Sequence, residues 1–91
     1  MKQFIIEAKN FNGVESFYDE ISRTFQLPAY FGRNLDALYD VLSDQDEPML
    51  VIWQNSAKSK NDFQTDSTQP GFYGQVVNTL RDVKNLELRL E

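Results

Sequence analysis

The 91-residue chain contains no cysteine and no histidine. Without them there is no disulfide framework and no zinc site built from Cys and His ligands. The Ser-His-Asp and Cys-His nucleophile systems are excluded as well. Long apolar runs are also missing, since nothing approaches the roughly 20 residues that span a bilayer. The N-terminus, MKQFIIEAKNF, has a short apolar core closed by a glutamate, too short and too polar for a secretory signal. The expected location is the cytoplasm, with no membrane partner. Glycine is scarce, and Gly32, Gly71 and Gly74 fit neither GxGxxG nor the Walker phosphate loop. Positive charge is short too: 9 basic residues stand against 14 acidic ones, a net charge of −5.

What remains suits one folded domain over residues 1–91. The apolar share is 41% and the aromatic share 13%, against disorder and enough for a modest core. The negative charge is not spread evenly. Residues 30–48 hold Asp36, Asp40, Asp44, Asp46 and Glu47 against Arg33 alone, so nearly all of the imbalance lies in that stretch. Like charges one helical turn apart cost a helix a few tenths of a kcal/mol per pair. Such a patch repels nucleic acid and anionic membranes and attracts basic proteins. On charge alone, a solvated helix face and a binding face are both open readings.

Periodicity orders the elements. KQFIIEA is β-rich, with Phe4 and Ile6 on one face and Ile5 on the other. After the Asn12-Gly13 turn signal, Val14, Phe17, Tyr18, Ile21 and Phe25 recur at helical spacing, and Pro28 ends that helix. A second helix spans about Leu35–Ser43, with Asn34 as N-cap and Leu35, Leu38 and Leu42 as its buried stripe. Asp36 and Asp40 fall on one outward line, with Tyr39 beside it. MLVIW, Met49–Trp53, reads as a central strand covered on both faces. The polar run from Gln54 to Gln69 allows at most a short helix pinned by Phe63. Pro70-Gly71 introduces a longer helix whose apolar face is Phe72, Tyr73, Val76, Val77, Leu80 and Val83. NLELRLE alternates as a closing strand, with its leucines inward. Helical crossovers make strands parallel. The expected fold is α/β, a three-stranded parallel sheet of order 1-2-3 packed with three to four helices.

Asp36 and Asp40 could form a general acid–base pair, but an exposed helix face offers little burial to raise a carboxyl pKa. SDQDEP alternates acids but lacks the twelve-residue calcium-loop pattern. No cofactor follows from these residues. Nucleic-acid binding needs aromatics within a basic patch, and here Tyr30, Phe31 and Tyr39 sit beside acids. Aromatics beside carboxylates suit a protein–protein hot spot that faces a basic partner. The alternative is that these aromatics belong to the core and the aspartates solvate it.

LPAYFGRNLDALYDVL resembles the signature of the barstar family: Leu-Pro, an aromatic pair, Gly, any residue, Asn-Leu-Asp-Ala-Leu, an aromatic, Asp. PMLVIW takes the place of that family's second strand, and length and element order agree over the whole chain. Barstar-like proteins are small cytoplasmic inhibitors of guanyl-specific ribonucleases and are not enzymes. The resemblance implies one-to-one binding to a basic nuclease by a free monomer, with the second helix plugging the active-site groove. Asp40 would then stand in for a substrate phosphate, and Asp36 would pair with another basic group. Tyr30 and Tyr39 would flank them, Asn34 would contact the partner and cap the helix, and Gly32 would permit close approach. Asp44, Asp46 and Glu47 would extend the acidic face. The chain also departs from the family's prototype. Arg33 stands where the prototype has an acid, Tyr39 replaces a tryptophan, and Gln45 replaces a loop aromatic. On the last helix, where the prototype adds acidic contacts, Thr79 takes a key place, with Asp82 further on. Arg33 completes the candidate partner-binding set. Two other roles fit the same residues: immunity against a nuclease toxin, or a non-inhibitory module for another basic protein.

Overall fold

Three apolar runs become strands, and the polar-faced segments between them become helices. The computed structural model describes residues 1–91. Its order is β1 (Lys2–Glu7), a single 3-10 turn (Ala8–Asn10), α1 (Val14–Thr24), α2 (Leu35–Ser43), β2 (Met49–Gln54), α3 (Ser56–Thr65), α4 (Phe72–Asp82) and β3 (Leu86–Leu90). The strands form one parallel sheet of order β1-β2-β3. The α/β class, the parallel sheet and its order are therefore as expected, with four α-helices.

Register decides which side chains enter the core. Phe4 pairs with Val51 and Val51 with Leu88, while Ile6 pairs with Trp53 and Trp53 with Leu90. These residues point to one face and pack with residues from all four helices in a single cluster. The opposite face carries Gln3, Ile5, Glu7, Leu50, Ile52, Gln54, Glu87 and Arg89, none of which joins that cluster. The expectation that MLVIW is covered on both faces is thus corrected: helices cover one. The cause is topological. Two successive right-handed crossovers that advance in the same direction put every helix on the same side. Ile52 is nonetheless buried, in register between Ile5 and Arg89, whereas Ile5 at the edge is 49% exposed.

The core is aromatic. Phe17 on α1 lies with ring centroids 5.3 Å from Phe11, 5.5 Å from Tyr18 and Phe72, 5.6 Å from Phe63 and 5.8 Å from Trp53. The Trp53 indole N–H donates to the Ser59 hydroxyl at 2.9 Å, so its one polar group is satisfied inside. Glu20, also buried, accepts from the Glu7 amide, the Asn10 side chain and Arg23.

The polar run after β2 folds further than its composition suggests. α3 is ten residues long. Asn55, in the left-handed region at φ 57°, turns the chain into it. Lys58 then donates to the carbonyls of Ala8 and Phe11 at 3.2 and 3.0 Å, and Phe63 inserts into the core as expected. Tertiary contacts hold a helix whose own sequence is a poor helix signal.

α1 is capped from a distance. Its N-cap, Gly13, offers no side chain, and the Val14 amide donates instead to Asp66 Oδ2 at 2.9 Å. A β-carbon on Gly13 would sit 3.0 Å from that same oxygen, so the glycine makes room for the cap. The Thr68 hydroxyl, then the Val14 and Thr68 amides, hold the Asp66 carboxyl below its ordinary pKa. A lowered folded-state pKa contributes stability above the unfolded-state value and loses it as pH falls through the folded-state value. Asp66→Ala should therefore lower Tm near neutral pH, and the gap to the parent should close below the ordinary carboxylate range. Thermal melts across a pH series check this; a gap that persists unchanged in acid contradicts it.

Candidate partner-binding face

α2 presents the acids. Asn34 begins it: its Oδ1 accepts the Ala37 amide at 2.8 Å, and its Nδ2 donates to the Gly32 carbonyl at 3.1 Å. Both ends of one amide are used, which fixes the helix start and the loop before it together. A β-carbon on Gly32 would lie 3.2 Å from Asn34 Nδ2 and 3.5 Å from Ala37 Cβ, so close packing over the cap favours glycine there. Leu38 and Leu42 are buried, with Leu35, Ala37 and Val41 partly so. The stripe leaves Asp36, Asp40 and the C-cap Asp44 exposed.

These aspartates have no cation of their own. Asp36, Asp40, Asp44 and Asp46 form no ion pair within the chain, whereas Glu47 lies 3.8 Å from Lys2. Asp36, in the first turn, is favoured by the helix dipole, but Asp40 and Asp44 near the C-terminus are disfavoured by it. Both Asp40 neighbours at helical spacing are also acids. The local energetics of α2 therefore oppose this arrangement.

The two readings of the aromatics divide between residues. Phe31 belongs to the core at 8% exposure and packs on Tyr18. Tyr30 is 89% exposed and Tyr39 40%. The loop and helix thus bring Tyr30, Gly32, Asn34, Asp36, Tyr39 and Asp40 onto one continuous segment, with Asp44, Asp46 and Glu47 exposed after it.

Arg33 is turned toward α1. Its Nη2 donates to the Glu15 carbonyl at 2.9 Å and to Glu15 Oε1 at 3.2 Å, and its Nη1 lies 3.1 Å from Asp19 Oδ1. Its Cζ is 5.8 Å from the Tyr18 ring centre. Burial pushes the Tyr18 hydroxyl up to about 12, partly offset by Arg33, so the ring stays neutral beside the guanidinium. No local sequence signal links Glu15 and Asp19 to this face. They lie far from Arg33 along the chain, and only the fold brings them together.

The family model described as "Barstar (barnase inhibitor)" matches residues 1–87. The chain belongs to the barstar family. Within curated proteins it is similar to one from Bacillus subtilis (strain 168) named "Putative ribonuclease inhibitor YrdF", with 36% identity over 78 residues, covering 85% of this chain and 78% of that one. The barstar-family match takes in every candidate residue from Tyr30 to Glu47. No helix is long and apolar enough to cross a membrane.

Proposed function

We propose that this barstar-family chain is a stoichiometric protein inhibitor of a basic, guanyl-specific ribonuclease, acting in the cytoplasm as a free monomer that binds one-to-one. The observation that carries the reading is the line of unpaired, exposed aspartates on α2, flanked by exposed Tyr30 and Tyr39. Nuclease active sites bind phosphate with arginine and lysine. A carboxylate offers two oxygens that a guanidinium can grip bidentately, as it grips phosphate. Asp40, mid-helix and outward, is the phosphate mimic, and Asp36 takes a second basic group. Tyr30 and Tyr39 supply apolar contact on either side, and Asp44, Asp46 and Glu47 extend the field that draws the partner in. The complex contains no phosphodiester to cleave, so occupancy of the groove is itself the inhibition.

The helix carries like charges at a cost to its own stability, a pattern expected of a surface shaped for a partner. Titration calorimetry against a panel of guanyl-specific ribonucleases should give one-to-one binding. Association should slow steeply between low and physiological salt, because steering acts through screened charge. A flat salt response, or no binding across the panel at low salt, would favour a module for some other basic protein.

A further inference from the structure

We infer that Arg33 is a positioning residue, which holds the Pro28–Asn34 loop against α1 and so sets the aim of Tyr30 and the α2 acids. The inference deepens the reading of this loop and helix as the binding face and rests on it. Along the loop, alternate residues have different fates. Phe31 is buried on Tyr18, and Arg33 reaches Glu15 and Asp19. Tyr30 and Gly32, between and beside them, are exposed. Phe31 and Arg33 are therefore two anchors on α1, one apolar and one ionic.

Arg33 is a demanding anchor. Its backbone lies in the left-handed region at φ 51°, which a β-carbon disfavours, so surrounding contacts must hold it there. Its planar fork spans two carboxylates and a carbonyl at once, which a lysine ammonium cannot reproduce. Asn34 follows directly and caps α2. The ionic anchor is thus one residue from the group that fixes the helix start. The same contacts answer a charge problem: a cation in an acidic face would oppose a basic partner, but this one is engaged by two acids of its own chain. An acid at position 33 would instead meet Glu15 and Asp19 across the same gap. The loop pose of this chain is therefore tied to the α1 acids, and with it the choice of partner.

The test uses Arg33→Ala, Arg33→Lys and the double variant Glu15→Gln/Asp19→Asn. Hydrogen exchange of the Phe31 and Ala37 amides, which donate to the Pro28 carbonyl and to Asn34 Oδ1, is followed in the free protein, and dissociation is timed from a guanyl-specific ribonuclease that binds the parent. Losing the surface ion pairs should speed loop exchange about tenfold in Arg33→Ala and in the double variant, with Arg33→Lys between. Dissociation should quicken in the same order. Parent-like loop exchange in Arg33→Ala overturns the inference. So does faster dissociation in Arg33→Ala with none in the double variant, which would mean that Arg33 touches the nuclease directly. If no nuclease binds the parent, the inhibitor reading fails, while the exchange data still decide whether Arg33 holds the loop.

Discussion

Asp40→Ala is expected to abolish ribonuclease binding while leaving the fold intact or slightly firmer. The two signs have separate origins. In the proposed complex, the Asp40 carboxylate would accept charge-assisted hydrogen bonds from basic groups of the active site, each worth about 1.5–3 kcal/mol. Losing two of them costs about 3–6 kcal/mol, which is at least about a hundredfold in Kd. The partner's cations would also be left desolvated without a counter-charge. In the free protein the same change removes a carboxylate exposed on α2, with Asp36 and Asp44 one turn away on either side. Relief of those repulsions should raise stability by a few tenths of a kcal/mol. Calorimetry and thermal melts on one preparation read both effects. A Kd within tenfold of the parent would remove Asp40 from the phosphate-mimic role, and a large fall in Tm would mean that binding was lost through unfolding.

Phe17→Ala is expected to have the largest effect on stability. Phe17 is fully buried, and five other aromatic rings pack around it. Truncating a core phenylalanine costs about 3–5 kcal/mol, from lost transfer energy and the cavity left behind. Rings held on five sides by different elements cannot easily collapse into that space, so the upper half of the range applies. For a domain of this size each kcal/mol moves Tm by about 4–8 °C, giving a fall on the order of 15–40 °C. Tyr30→Ala, at a ring that is 89% exposed, serves as the contrast and should move Tm very little. Circular dichroism melts decide it. A drop under about 5 °C for Phe17→Ala would mean that the aromatic cluster repacks freely.

The elements that sequence made legible share one property: each carries its signal locally. The alternation in LELRL, the leucine spacing of α2 and the Asn34 cap all follow from neighbours within a turn or two. The features it missed are those set by distant residues. α3 is polar and is held by Lys58 on the β1–α1 connection and by Phe63 in the core. α1 is capped by Asp66, from the far side of two helices and a strand. The continuous MLVIW run suggests two covered faces, yet the handedness of the crossovers leaves one of them open. At the candidate face, sequence proposed which residues form the segment, and Asp36, Asp40, Tyr30 and Tyr39 are all exposed on it. It could not say which way Arg33 turns, because its acids lie on a different helix.

The all-parallel sheet also governs how the chain reaches its native state. No strand pairs with a neighbour across a tight turn: Ile6 meets Trp53, and Val51 meets Leu88. Each pairing closes a loop of roughly forty residues before its first interstrand bond forms. Such non-local pairing makes folding slow relative to a helical bundle of equal length. During that interval α1 and α2 form and fray on their own, while Met49–Trp53 remains an unpaired, β-prone apolar strand. This window, before Phe17 and Trp53 meet, is when the newly made chain is most exposed to aggregation.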